Sequence, residues 1–256
     1  MTLSQTRITN SVLGINLDAI SYTDAVANII LLGKKNTPSY ICFVNVHMTI
    51  EAYKNASFAK QINEATMALP DGMPIVKFLR LSYGNNQERI AGMDLMPDLI
   101  RASGGENLKL FFFGTTIETL SRIEKRVREE CPNANIAGML APPFNKNLDD
   151  PCYITTINES GANLVFVALG CPKQEKWMAS NSNKINAVLL GVGGAFPVFA
   201  GESKRAPEIL RNLSLEWAYR LWIEPRRLFM RYFKTNTLFI YLGLKHILSS
   251  DKRKYK

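Results

Sequence analysis

With 256 residues, 46% of them apolar, the chain can bury a sizeable core, which excludes a disordered protein. The 4 cysteines, Cys42, Cys131, Cys152 and Cys171, form no C-x-x-C pair, and His47 and His246 are its only histidines, so reduced thiols inside the cell are expected rather than a disulfide framework or a metal cluster. The formal charge of +9 sits at one end: from Glu202 onward there are 13 Lys and Arg against 5 Asp and Glu, and before it 18 against 17, which suggests a C-terminal segment facing an anionic partner or, more simply, a solubilising surface.

In chain order, the amino terminus MTLSQTRITNSVLG lacks a basic stretch followed by an apolar one, so nothing there is expected to direct the chain through a membrane. Apolar runs rich in β-formers at 40–46, 108–114, 134–140, 163–170 and 186–194 predict strands buried on both faces. Helical periodicity predicts helices over 116–130, 148–160 and 173–180. This alternation implies an α/β fold, a Rossmann-like parallel sheet with flanking helices, over residues 1–201, followed by a basic amphipathic C-terminal helical appendage over 202–256. In such sheets ligands bind beyond the carboxyl ends of the strands.

The loops at those ends each have a structural and a chemical reading. In GVGGAF, Gly191, Gly193 and Gly194 follow a strand and would let backbone N–H groups approach a phosphate, although a ligand-free tight turn has the same signature. Gly114 in FFFGTT is a similar candidate for binding substrate, although Thr115 or Thr116 capping the next helix is the simpler reading of that loop. Asp71 and Gly72 in ALPDGMP form either an Asx-type turn or a loop tip presenting a general base. In GCPKQE, Lys173 and Gln174 stand at a helix amino terminus, where a solvated end favours acids, so their placement fits a polar ligand.

Together the blocks PDGMPIV, ERIAGMDL, LFFFGTT, APPF, FVALGCPKQEKW, LLGVGGAF, KRAPE and LEWAYRLWIEPRR resemble the WecG/TagA/CpsF glycosyltransferases from about Asn45 to Arg231. The resemblance implies an inverting, metal-independent enzyme without a cofactor. It would move a hexose from a UDP-sugar to a polyprenyl-diphosphate-linked saccharide at the cytoplasmic face of the membrane, for teichoic acid, enterobacterial common antigen or exopolysaccharide synthesis. On this resemblance Asp71 matches the base, Asn45 a residue beside the sugar or acceptor, and Arg220, Arg227 and Arg231 the tail arginines that complete the active site. Arg89 matches a residue that binds ligand or braces the Asp71 loop. Lys173, Gln174 and Glu175 resemble the edge facing the nucleotide sugar, with Gln174 in direct contact and Glu175 either there or holding neighbouring loops.

The residues agree with that chemistry. No D-x-D motif offers a divalent cation two close carboxylates, so charge on a leaving diphosphate would fall to backbone amides and guanidinium groups. Departures at Phe43, Val44, Phe196 and Pro197, where many relatives differ, leave the donor open among N-acetylmannosamine, its uronic acid and glucose. The segment 225–248 mixes aromatics with cations and its longest uncharged stretch, 235–244, is too short to span a bilayer, which fits a helix lying on an anionic membrane surface. Two alternative functions fit less well: a nucleotide-binding oxidoreductase is disfavoured by the incomplete glycine fingerprint, and a nucleic-acid-binding module because the aromatics cluster with aliphatics. The partners expected are therefore a UDP-sugar, a lipid-linked acceptor and the membrane but no nucleic acid, with a homo-oligomer left open.

Overall fold

A computed structural model describes residues 7–143, 148–207, 210, 216–223 and 225–254, apart from the side chains of 220, 227, 228, 231 and 247–254. Six strands form one parallel sheet in the order β4-β3-β8-β7-β5-β6: β3 (Ser39–Val44), β4 (Met67–Pro70), β5 (Lys109–Gly114), β6 (Asn135–Leu140), β7 (Leu164–Ala168) and β8 (Val188–Gly191). A separate antiparallel hairpin, β1 (Thr9–Val12) and β2 (Ile15–Asp18), precedes it. The buried Asp18 carboxylate ties this hairpin to the edge strand, accepting from Ala68 N at 2.6 Å while Arg7 pairs with it at 2.6 Å.

Side chains alternate across a strand, and here both faces are covered. Phe111, Phe113, Val165, Val167 and Leu189 point into one apolar layer, and Leu110, Phe112, Leu164, Phe166, Val188 and Leu190 into the other. The first layer is closed by α2 (Val46–Lys54), α3 (Ala56–Asn63), α4 (Met73–Tyr83), α7 (Pro151–Glu159) and α8 (Lys173–Asn181). The second is closed by α1 (Tyr22–Lys34), α5 (Gly92–Gly105), α6 (Ile117–Glu130) and the short α9 (Ala195–Phe199). This three-layer arrangement is the Rossmann-like α/β fold expected. Of the two candidate caps, Thr116 takes the role, accepting from Thr119 N at 3.2 Å; α7 is capped by Asp150, which accepts from Cys152 N at 3.0 Å.

Further along the chain lie the helices Glu216–Ile223 and Pro225–Lys254. The longer one packs on α2 and α4: Thr235 and Phe239 are buried, the Phe239 ring centroid lies 6.0 Å from that of Phe78, and Gly243 abuts the same ring. Its other face leaves Phe229, Met230, Phe233, Ile240, Tyr241 and Leu244 exposed. Among the described residues no helix is long and apolar enough to cross a membrane.

Candidate active site

Asp71 and Asn45 are brought side by side by strand register. Val44 pairs with Pro70, and Asp71 N donates to Val44 O at 2.9 Å, so the next residue on each strand emerges at the carboxyl edge with about 5 Å between the two backbones. Asn45 caps α2, its Oδ1 accepting from Met48 N at 3.1 Å, which leaves the amide nitrogen uncommitted by the cap. Gly72 begins α4 at φ 103, a conformation that suits glycine, and it turns the chain away immediately after Asp71. Both Asn45 and Asp71 are partly exposed.

The glycine turn lies beside them on β8. Val192 N and Gly193 N both turn back to Val167 O, at 3.0 and 3.2 Å, whereas among the described residues Gly194 N–H has no hydrogen-bond partner and Gly194 is exposed. The turn is packed from below. A side chain on Gly191 would meet Met178 Cε at 2.6 Å and Gln174 Nε2 at 3.2 Å, and one on Gly193 would meet Gln174 Oε1 at 3.1 Å. Gln174, expected to face a ligand, is instead only 4% exposed, with Nε2 donating to Gly191 O at 3.0 Å and to Glu175 Oε1 at 2.7 Å. Lys173 projects outward and Glu175 is 1% exposed. Burial pushes the Glu175 carboxyl up to about 7, partly opposed by hydrogen bonds from Gln174, the backbone and Cys171. Burial and that carboxylate push the Cys171 thiol well above its ordinary range. At Gly114, an added side chain would strike Ala168 O at 2.4 Å, so close approach of β5 to β7 is sufficient reason for glycine there.

A charged network rims this edge. Ile90 N donates to Pro70 O at 2.9 Å, which holds Arg89 next to the Asp71 strand end. Arg89 pairs with Asp94 at 2.6 Å and with Glu216 at 3.3 Å, and Arg205 pairs with the other Asp94 oxygen. Arg89 thus links the edge to the helix Glu216–Ile223. Asp94, Arg205 and Glu216 were not singled out from sequence, although ERIAGMDL, KRAPE and LEWAYR contain them; the signal that could have found them is the presence of opposite charges in three separate motif blocks. Arg220, Arg227 and Arg231 fall on the C-terminal helices, but their side chains lie outside the described residues. Among the described residues no three His, Cys, Asp or Glu side chains gather as metal ligands.

The family model described as "Glycosyl transferase WecG/TagA/CpsF family" matches residues 10–253. A relative from Bacillus subtilis (strain 168), named N-acetylglucosaminyldiphosphoundecaprenol N-acetyl-beta-D-mannosaminyltransferase, is 32% identical over 188 residues, which cover 73% of this chain and 72% of the relative.

Proposed function

We propose a specific reaction from one premise: the chain belongs to the WecG/TagA/CpsF glycosyltransferase family and is a hexosyltransferase. In the proposed reaction a hexose, N-acetylmannosamine first and N-acetylmannosaminuronate or glucose as alternatives, passes from a UDP-sugar to a polyprenyl-diphosphate-linked saccharide. The relative's name favours N-acetylmannosamine and a lipid-diphosphate acceptor. The observation that carries the reading is the placement of Asn45 and Asp71 on neighbouring strand ends, beside the glycine turn of the next strand.

In this mechanism the Asp71 carboxylate takes the proton from the acceptor hydroxyl as that oxygen attacks the anomeric carbon from the face opposite UDP. One carbon–oxygen bond forms, the bond to UDP breaks, and the configuration inverts. Asn45 would orient the sugar or the acceptor through its uncommitted amide nitrogen. UDP leaves with its bonding electron pair, and the developing charge would be met by Gly194 N–H and by Arg220, Arg227 and Arg231 brought over from the C-terminal helices. The reaction would need no metal ion. The exposed aromatics and the cations of residues 202–256 would hold the enzyme on the anionic cytoplasmic leaflet, next to its lipid-linked acceptor.

The test is transfer from a panel of UDP-hexoses to polyprenyl-diphosphate N-acetylglucosamine, with and without EDTA. The expected result is an inverted product from UDP-N-acetylmannosamine at a rate EDTA does not change. Strict dependence on added magnesium or manganese, or transfer with retention, would contradict the mechanism.

A further inference from the structure

Gln174 and Glu175 open α8, a position where side chains ordinarily meet solvent, yet both are buried beneath the glycine turn. The hydrogen-bond inventory fixes how the carboxamide stands. Nε2 has two hydrogens and faces two acceptors, Gly191 O at 3.0 Å and Glu175 Oε1 at 2.7 Å. A flipped amide would set its oxygen against both of them, so Oε1 is held on the opposite side, under Gly193, where it accepts nothing among the described residues. The groups facing the Glu175 carboxylate are Gln174 on its own helix, Cys171 in the loop before that helix and the buried Cys42 on β3, with Glu51 of α2 facing Cys171. Among the described residues no cation faces it. A carboxylate buried without a cation is unfavourable, and a glutamine or a leucine would avoid that cost.

We propose that Glu175 is a positioning residue of the donor site that acts through Gln174: with the Gly191 carbonyl it locks the carboxamide under the glycine turn and so sets where the Gly193–Gly194 backbone meets the donor diphosphate. This rests on the reading that the turn binds the UDP-sugar. Glu175 touches no substrate; its effect passes through one amide hydrogen.

Two measurements on the full chain test it: the NMR side-chain amide signals of Gln174, assigned by their loss in Gln174→Ala, and the affinity for UDP. In the wild type both Gln174 hydrogens are expected to exchange slowly. Glu175→Leu should free one of them and weaken UDP binding by about tenfold, the range of a lost hydrogen bond to a charged group, and Glu175→Gln should restore both properties to within about threefold because its amide oxygen still accepts. Adding Glu175→Leu to Gln174→Ala should cost less than about a further twofold, since the two act as one unit. Unchanged Gln174 amide exchange in Glu175→Leu, or fully additive losses in the double variant, would overturn the proposal. Should Glu175→Leu not fold, Glu175→Gln decides alone: loss of slow exchange at either Gln174 hydrogen contradicts the clamp. A wild-type protein that binds no UDP would sink the donor reading, while the amide exchange would still judge the clamp.

Discussion

The carboxyl edge of the sheet and the helix Pro225–Lys254 use side chains in opposite ways. At the edge, groups with hydrogen-bonding capacity are drawn inward: Gln174 and Glu175 sit under the glycine turn, and Gly191 and Gly193 leave no room for a side chain. On the helix, aromatic side chains are pushed outward, with Phe229, Phe233 and Tyr241 each more than half exposed at 56%, 62% and 62%. Buried polar groups rigidify a site only when their partners are arranged around them. Exposed aromatics on a basic helix are the pattern of a face that rests on a membrane surface. In the proposed function the first region would hold the donor still and the second would meet the membrane.

If that contrast is right, substitutions in the two regions separate stability from function in opposite senses. The largest expected effect is on the helix's inward face: Phe239→Ala should destabilise the fold by about 3–5 kcal/mol, the range for a truncated core phenylalanine, measured by denaturant unfolding. A negligible change would mean the helix is not docked through Phe239 and Phe78.

Next comes the pH dependence at the edge. The Glu175 carboxyl titrates near 7 in the fold and near 4.5 when unfolded. Between those values the native state holds a proton the unfolded state has released, so this group's contribution falls as pH rises from about 4.5 to 7. Glu175→Gln removes that slope. Its stability relative to wild type should therefore grow over that window, by on the order of 3 kcal/mol at most, and level off above it. A stability difference independent of pH would contradict the buried-carboxylate account.

Asp71→Asn should keep UDP affinity and lower transfer by at least about a hundredfold, as loss of a general base implies. Near-normal turnover removes Asp71 from the chemistry. The smallest effect is at the helix's outer face: replacing Phe229, Phe233 and Tyr241 together with serine should reduce flotation with anionic vesicles by roughly tenfold, with unfolding unchanged, because these residues contribute interfacial rather than core burial. A loss of fold in that variant would show the face to be internal.

How much of this was legible beforehand depended on the kind of signal. The five strands at 40–46, 108–114, 134–140, 163–170 and 186–194 are all present: four are buried on both faces, which writes a continuous apolar run, while the edge strand β6 is only partly buried, contrary to expectation; their ends differ by up to three residues where loops continue the apolar pattern, as at Val192. β4 was missed because MALP is four residues long and merges into the turn formers of PDG. The β1–β2 hairpin was missed because only Val12, Ile15 and Leu17 carry its apolar pattern. Its turn also uses Leu13 and Gly14, both at positive φ, rather than the Asn-Gly signature. The position of Asn45 and of Gly191, Gly193 and Gly194 at strand ends was readable from the apolar runs they close, whereas Asp71 stood out through its turn-forming neighbours and the family resemblance, its strand being unrecognised. The inward turn of Gln174 was not, because a polar residue in the first helical turn normally points to water. Nor was the Arg89–Asp94–Arg205–Glu216 network, whose members meet only through tertiary packing of distant blocks.

Amide hydrogen exchange with and without UDP shows whether the nucleotide sugar is handled at the carboxyl edge by the ends of β4, β3 and β8, as proposed. Added protection should appear at 45–48, 71–76 and 191–196. Protection confined to the opposite edge, for example around the hollow lined by Arg128, Pro132 and Asn133 near the start of β6, would contradict it.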